Sequence, residues 1–346
     1  MHQMYRGQGF AVPEFPLISI GILTYNRSRE LRTTLDCLLR DGYPNREIIV
    51  VDNHSSDDTQ EMLQREFGGC RELIVYRTEK NIGVGARNLF LKNARGKYVF
   101  QYDDDSQPAD SATIKNIVEF LETSGNEIDV LCTRVVNFYD QSCETQDWEV
   151  FAWGGDANQG FRGHFIHGSG TIFRSSALRQ ISGYPEDFFW GFEEADLTLQ
   201  FLLAGSTIVY KPDFITLHRR RRRQFSSPLV TTYYVRNGVL VFNKYFTFPY
   251  NWLLCKLWIM RHISKNLLHF KSVIAGARAG FSLSRNQIRA RRKFPCNRKQ
   301  IFLWIIHTLL PSPTWKFFKL IRYKFPDKGI GGCGGLGSAN ADRQFV

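Results

Sequence analysis

Three consecutive carboxylates, Asp103, Asp104 and Asp105, stand directly after the apolar run at residues 98–102. Adjacent like charges repel one another and are costly to bury unless a cation lies among them. In an extended chain Asp103 and Asp105 point to the same side, because side chains alternate with period two. Two such carboxylates can bind one hard divalent cation, whose shell a substrate phosphate completes. The pattern therefore predicts a Mg²⁺ or Mn²⁺ site, with a solvated acidic turn as the alternative.

Strand and helix signals alternate in the first half of the chain. Apolar runs predict strands at 17–25, 47–51, 73–76, 97–102 and 128–136. Amphipathic runs predict helices at 28–40, 58–67, 86–94 and 109–122, with Ser28 as one N-cap and Asp58 with Glu61 as a capping box. Further strands are expected at 169–173 and 207–210, and further helices at 176–181 and 193–203. The alternation predicts an α/β fold with a mainly parallel sheet flanked by helices.

Polar clusters follow the first four predicted strands. They are TYNR at 24–27, the run after Asp52, the segment from Gly83 to Arg87, and the acidic triplet. Ligands of an open α/β sheet bind at the carboxyl ends of its strands. Asp52 can accept from a base or a ribose hydroxyl, and Gly83 and Gly85 let the backbone approach a ligand. Arg87, in the first turn of its helix, opposes the helix dipole, and a diphosphate nearby would offset this cost. Each cluster alone also fits an N-cap or a tight turn.

Six motifs occur in a fixed order: TYNR, VDNHSSDDT at 51–59, NIGVGARN at 81–88, the acidic triplet, HGSGT at 167–171 and GFEEADL at 191–197. This series resembles the large inverting nucleotide-sugar glycosyltransferase family 2, which has the GT-A fold, over about residues 17–245. The run YYVRN at 233–237 is similar to a segment of bacterial members that act on rhamnose, galactofuranose and related sugars.

The resemblance implies roles for named residues. Glu194 stands where the family usually has the Asp that acts as catalytic base, and this departure leaves open whether Glu193 or Glu194 is the base. The metal ligands would be Asp103, Asp105 and His218. The nucleotide-sugar contacts would be Thr24, Tyr25, Asn26, Asp52, Arg87, Asp103 and Asp104. The acceptor side would include Gly168, Phe192, Asp196 and Arg236.

Composition gives the expected compartment and partners. The N-terminus lacks the apolar core of a signal peptide. The seven scattered cysteines show no CxxC, so a disulfide framework or zinc site is not expected, and a reducing cytosol is the expected compartment. Residues 211–330 contain 25 Lys and Arg but only 2 Asp and Glu. Such a basic third favours a polyanion, either nucleic acid, an anionic membrane surface or a phosphorylated substrate.

The C-terminal third holds two further patterns. Residues 219–223 are five consecutive arginines, which form either a solvated loop or an anion clamp beside the donor. An amphipathic basic helix is predicted over 253–274, with an apolar stripe and with Trp252 and Trp258 at its boundary. The helices here either pack on the catalytic domain or touch the membrane. Residues 301–315 fall short of the roughly 18–20 apolar residues of a membrane span. The stripe consists of Leu253, Leu257, Met260, Ile263, Leu267, Phe270 and Ile274.

The predicted organisation is an N-terminal extension (1–16), a catalytic domain (17–245) with nucleotide half 17–110 and acceptor half 111–245, a basic helical region (246–328) and a flexible Gly-rich tail (329–346). The predicted activity is metal-dependent, inverting transfer of one sugar from a UDP- or dTDP-sugar to a saccharide or lipid-linked saccharide, in cell-surface glycan biosynthesis.

Single transfer is favoured because the QxxRW motif of processive synthases is absent. One alternative is a sugar-phosphate nucleotidyltransferase, whose glycine-rich signature after the first strand is missing. Another is a nucleic-acid-binding protein that uses the basic third, but this reading leaves the strand-end motifs unexplained, so no nucleic acid is expected. The enzyme would be cytoplasmic and peripheral on the inner face of the cytoplasmic membrane.

Overall fold

The computed structural model describes residues 15–145, 160–220, 227–285 and 298–309. Most of the predicted N-terminal extension, arginines 221–223 and the predicted tail lie outside the described residues. The predicted domain boundaries stay predictions.

Within the described ranges, nine strands form one mixed sheet in the order β3-β2-β1-β4-β8-β6-β9-β5, with β7 paired to β9. The strands are β1 (Ile18–Thr24), β2 (Arg46–Asp52), β3 (Leu73–Arg77), β4 (Tyr98–Asp103), β5 (Ser106–Pro108), β6 (Val130–Asn137), β7 (Phe161–Arg162), β8 (Thr171–Arg174) and β9 (Ile208–His218).

Helices flank the sheet. They are α1 (Ser28–Leu39), α2 (Thr59–Phe67), α3 (Arg87–Asn93), α4 (Thr113–Thr123), α5 (Ser175–Leu178), α6 (Glu193–Ala204), α7 (Pro228–Tyr245), α8 (Tyr250–Lys265), α9 (Phe270–Ser284) and α10 (Arg298–Leu309). Short 3-10 turns occupy Gly83–Ala86 and Leu267–His269.

The sheet confirms the predicted α/β architecture. Strands β1 to β4 are mutually parallel. The apolar runs of β1, β2 and β4 are buried, as a parallel sheet between helices requires, whereas the edge strand β3 is partly exposed. Strands β5, β7 and β8 run antiparallel to their neighbours. The short strands β5 and β7 were not predicted, and β9 continues eight residues past the predicted end at 210, to His218.

Two apolar clusters lie on opposite faces of the sheet. Ile20 and Ile22 of β1 pack in the cluster that α1, α2 and α4 cover. Ile49 and Val51 of β2 pack in the cluster shared by α3, α6, α7 and α8. Alternate residues of neighbouring strands thus serve the two cores, which fixes the register of the sheet.

Two predicted helix caps are wrong. Residue 27, rather than Ser28, is the N-cap of α1, and the Ser28 hydroxyl instead donates to Asp58. Asp58 is the N-cap of α2 by position, but its side chain makes no capping bond. The nearby Asp57 accepts from the backbone N–H and hydroxyl of Thr59 instead. The Ser28–Asp58 bond thus joins two loops, while Asp57 satisfies the first N–H of α2.

The predicted basic helix over 253–274 is two helices, α8 and α9, which the turn Leu267–His269 separates. The buried side of α8 is Leu254, Cys255 and Trp258, whereas most of the predicted stripe is exposed. A side chain at Gly238 of α7 would overlap the Trp258 indole, so this glycine lets α7 and α8 pack closely. In the described part of the chain, no helix combines the length and apolar character needed to cross a membrane.

Candidate active site

A cavity of about 1350 Å³ lies at the carboxyl ends of the parallel strands. Thr24 of β1 is in register with Asp52 of β2, and Leu23 is in register with Asp103 of β4, so these strand ends lie side by side. The loop before β8 and the start of α6 close the opposite wall. Of the predicted site residues, the cavity wall contains Thr24, Tyr25, Asn26, Arg87, Asp103, Asp104, Asp105, Gly168, Glu193, Glu194 and His218.

The acidic triplet is paired with cations of the protein. Arg87 Nη2 lies 2.6 Å from Asp103 Oδ1, and Arg27 Nη2 lies 2.6 Å from Asp105 Oδ2. Asp104 accepts from the Thr24 hydroxyl at 2.9 Å and lies 3.3 Å from Arg27 Nη1. Burial raises the pKa of Asp104 to about 7, although the Arg27 charge opposes this shift. Asp104 thus holds Thr24, the last residue of β1, and Arg27, which follows that strand. Asp103 instead faces the cavity, and its side chain is 26% exposed.

His218 reaches the triplet because β9 is long and β5 pairs with its end. Ser106 of β5 is in register with His218, which brings His218 Nε2 within 3.1 Å of Asp105 Oδ1. On its other side, His218 Nδ1 lies 2.9 Å from Glu144 Oε2. Burial alone would lower the pKa of His218, but its hydrogen bonds with Asp105 and Glu144 outweigh burial and raise the pKa to about 10.

The residues at this end of the cavity fit a divalent cation. Asp103, Asp105 and His218 can each offer one ligand atom, and these atoms lie within 4.8 Å of one another. Two carboxylates with one imidazole are a donor set that Mg²⁺ or Mn²⁺ accepts. Glu144 holds the second ring nitrogen, as an outer partner that orients a metal-bound histidine does. An ion would bind here only as His218 gives up its proton.

Glu193 and Glu194 form the first turn of α6 on the opposite wall. Burial, and then the charge of Glu194, raise the pKa of Glu193 to about 8. Burial also raises the pKa of Glu194, while the nearby Arg87 opposes this. The Glu194 carboxylate closely faces Gly168, since a Cβ built on Gly168 would lie 2.7 Å from Glu194 Oε1. Because the two carboxylates repel each other, the pair favours sharing one proton, with one member ionised as a base requires.

The start of α6 depends on an uncommon backbone. Gly191 and Phe192 have φ of 84° and 68°, both in the left-handed region. Asn237 of α7 holds this turn, because its Nδ2 donates to the carbonyls of Gly191 at 2.6 Å and Trp190 at 3.1 Å. The turn aims the two glutamates of α6 into the cavity.

Four predicted site residues lie off the cavity wall. Asp52 is fully buried, and its Oδ1 accepts from the Ser55 N–H at 2.8 Å. Asp196 is also fully buried and pairs with Lys244 Nζ at 2.9 Å. In this structure Asp52 shapes its loop, and Asp196 joins α6 to α7.

The other two residues off the wall are Phe192 and Arg236. The Phe192 ring packs 4.7 Å from the Trp258 ring, inside an aromatic cluster. Arg236 donates to the carbonyl of Asp187 and lies over the Tyr233 ring. The acceptor-side roles predicted for Phe192, Asp196 and Arg236 thus gain no support from direct contact with the cavity.

The two glycines before α3 pack against protein backbone. A Cβ on Gly83, whose φ is 64°, would overlap the Phe189 carbonyl, and one on Gly85 would lie 3.3 Å from Glu186 Cα. At these two glycines it is the loop before α6 that makes the close approach predicted for a ligand. Arg87, which follows these glycines, is paired with Asp103 and donates to the Gly168 carbonyl at 3.1 Å.

The cavity also contains residues that received no role from the sequence. Arg27 stood in a strand-end motif, and a counterion for three adjacent carboxylates was a signal that could have found it. Trp190 and Tyr234 form an edge-to-face pair with ring centroids 5.6 Å apart. His262 and Asn266 come from the end of α8, and nothing local in the sequence indicates that this helix reaches the cavity.

Comparison with known proteins agrees with this geometry. Residues 19–182 match the model for "Glycosyl transferase family 2". The chain resembles family 2 glycosyltransferases. It is 33% identical over 129 residues to the amylovoran biosynthesis glycosyltransferase AmsB of Erwinia amylovora, covering 36% of this chain and 43% of the relative. It is 33% identical over 107 residues to the UDP-Glc:alpha-D-GlcNAc-diphosphoundecaprenol beta-1,3-glucosyltransferase WfaP of Escherichia coli, covering 31% and 42%.

These alignments span less than half the length of the two curated relatives. A solved structure covers more of the chain: the mannosyltransferase PcManGT of Pyrobaculum calidifontis, in complex with GDP-Man and Mn²⁺. It aligns with a TM-score of 0.54 and 18% identity, over 90% of this chain and 86% of that one. The predicted GT-A fold and the family 2 resemblance are confirmed, whereas the rhamnosyl or galactosyl subtype stays a prediction.

Proposed function

We propose that this protein is a metal-dependent, inverting glycosyltransferase. It would move one sugar from a nucleotide-diphosphate sugar to a hydroxyl of a saccharide or lipid-linked saccharide, without processive polymerisation. One observation carries the proposal: a single cavity holds the cluster of Asp103, Asp105 and His218 on one side and the Glu193–Glu194 pair on the other.

At the donor end, Asp103, Asp105 and His218 would hold Mg²⁺ or Mn²⁺. When bound, the ion supplies positive charge that stabilises the departing nucleotide diphosphate. Thr24, Tyr25 and Asn26 line the cavity directly after β1 and would contact the nucleoside. The predicted contact of Asp52 with the nucleoside would require the loop after β2 to move, because this carboxylate is buried off the cavity wall.

At the acceptor end, Glu194 would take the proton of the attacking hydroxyl. Glu193 would hold the proton that the pair shares, because burial and the charge of Glu194 raise its pKa. A general base acts best when it is ionised and close to the hydroxyl. Arg87 positions the site, since it contacts both Asp103 and the Gly168 carbonyl beside Glu194. Attack opposite the leaving diphosphate, in a single displacement, inverts the anomeric centre.

The donor is proposed to be a UDP- or dTDP-sugar, and the process glycan biosynthesis. The relative from Escherichia coli is named for UDP-Glc and a diphosphoundecaprenol acceptor, which supports a nucleotide-sugar donor and a lipid-linked acceptor. The neighbour solved with GDP-Man shows that the same fold also accepts a guanine nucleotide. The proposed location is the cytoplasm, peripheral to the inner face of the membrane.

The test is a panel of UDP-, dTDP- and GDP-sugars with purified protein, Mn²⁺ and candidate glycan acceptors, with released nucleotide measured. Turnover of one donor, lost on chelation of the metal, is expected. The control is Asp105→Ala, which should stay folded by circular dichroism and release no nucleotide. Release of pyrophosphate instead of a nucleoside diphosphate would favour the nucleotidyltransferase alternative. Steeply salt-dependent DNA binding without donor turnover would favour the nucleic-acid alternative.

A further inference from the structure

The junction between α8 and α9 exposes two adjacent leucines. Leu267 and Leu268, here called the elbow, are 72% and 97% exposed. Along α8, three further apolar residues form an exposed stripe, Leu253, Leu257 and Met260. Their spacing of four and three places them on one face of the helix.

This face is not the one that packs on the protein. The opposite side of α8 buries Leu254, Cys255 and Trp258, and Trp258 contacts the aromatic cluster around Phe192. Within the described part of the chain, the elbow and stripe are exposed, so their apolar side chains do not stabilise the fold by burial. A contiguous exposed apolar surface usually marks an interaction site.

The charge around this surface indicates what binds there. Lys265 and Lys271 flank the elbow and are exposed, and Lys256 lies 5.1 Å over the ring of the exposed Trp252. No Asp or Glu occurs between residues 214 and 326. Leucines with basic neighbours and a boundary tryptophan match the interface of an anionic bilayer. The elements that form this surface thus offer only cations to a partner, which favours an anionic bilayer over a protein of mixed charge.

The elbow also adjoins the cavity. His262 and Asn266 line the cavity wall, and Asn266 directly precedes Leu267. Neither ring nitrogen of His262 has a hydrogen-bond partner among the described residues. The cavity thus has an end where the His262 ring lies one helical turn before the elbow, and Asn266 adjoins the elbow directly.

From these contacts we infer that the elbow and stripe insert into an anionic lipid surface, so that a lipid-linked acceptor enters the cavity past His262 and Asn266. This inference rests on the proposed transferase function for the identity of the acceptor. The lipid contact itself does not depend on that function, and so it can be tested separately.

The test is sedimentation of the purified full chain with vesicles. One set contains phosphatidylcholine alone, and the other contains roughly one third phosphatidylglycerol. The wild type should bind the anionic vesicles more tightly, with affinity that falls as salt rises. The double variant Leu267→Ser with Leu268→Ser should bind them about 100-fold more weakly, because each buried leucine contributes about tenfold. The charge variant Lys265→Gln with Lys271→Gln should lose most of the preference for anionic lipid.

A matched control is Val75→Ser, which makes the same kind of change at a 44% exposed residue of strand β3. It should bind vesicles as the wild type does. Wild-type affinity in the elbow variant, or no binding by the wild type, would overturn the inference. A dimer that only the elbow variant loses, without vesicle binding, would assign the surface to a second copy of the chain.

Binding of UDP with Mn²⁺, measured by calorimetry, separates this inference from the proposed function. The elbow variant should bind UDP as tightly as the wild type, since its changed side chains lie outside the donor end. Vesicle binding without binding of UDP, dTDP or GDP would leave the membrane contact standing and remove the transferase proposal.

Discussion

The substitution Gly168→Ala should move the proposed base without unfolding the protein. The new Cβ would lie 2.7 Å from Glu194 Oε1 and 3.4 Å from Arg87 Nη1. The Glu194 carboxylate must retreat by roughly 1 Å to reach an ordinary contact distance. Because it is the end of a flexible side chain, the retreat costs little stability. A displacement of that size at a reacting group lowers the rate by about 100-fold, or about 2.7 kcal/mol of barrier.

The assay compares kcat for nucleotide release with the affinity for UDP and Mn²⁺. Gly168→Ala should lower kcat while UDP affinity and the urea midpoint stay near the wild-type values. Gly69→Ala is the matched control, because a Cβ there meets nothing within 4 Å. Full turnover by Gly168→Ala would refute the assignment of Glu194 as the group that takes the proton. Loss of UDP affinity in the same variant would show that the clash acts on the donor side instead.

Three further variants test neighbouring parts of the reasoning. Glu194→Gln should lower kcat by about 100-fold or more and leave UDP affinity unchanged, and a larger loss in Glu193→Gln would exchange the two roles. The pKa of Glu193 is raised from 4.5 to about 8 in the folded state, so the folded protein holds a proton that the unfolded chain releases. The free energy of unfolding should therefore fall as pH rises from about 5 to 8. Thermal melts should show a smaller fall for Glu193→Gln, and an equal fall would contradict the raised pKa. Gly238→Ala should lower the free energy of unfolding by about 1–3 kcal/mol, because its Cβ overlaps Trp258, and a urea midpoint equal to that of Gly69→Ala would show that α7 and α8 adjust freely.

The sequence predicted the nucleotide half of the fold well, for a physical reason. In β2 every residue from Glu47 to Asp52 is buried. A strand buried on both faces is apolar along nearly its whole length, so its unbroken apolar run predicts a central parallel strand. The strand-end motifs then follow from the topology, since parallel strands bring their carboxyl ends to one edge. The acidic triplet could be read from local spacing alone.

The parts that the sequence did not predict depend on contacts distant in the chain. The contact of His218 with Glu144 joins residues 74 positions apart. The break between α8 and α9 was hidden because Leu267 and Phe270 continue a helical pattern of apolar residues. The pattern left open whether the stripe packs on the protein or touches the membrane, and the buried face of α8 is the one around Trp258. Periodicity shows that a helix has an apolar side, but it does not show whether protein covers it.

The pairing of the acidic triplet with Arg27, Arg87 and His218 has a consequence for the life of the protein in a cell. Since the chain supplies its own counter-charges, the folded state does not need an ion to hold these carboxylates together. We therefore expect the polypeptide to fold without divalent ions. Its activity would then respond to metal and donor supply, while its abundance would not.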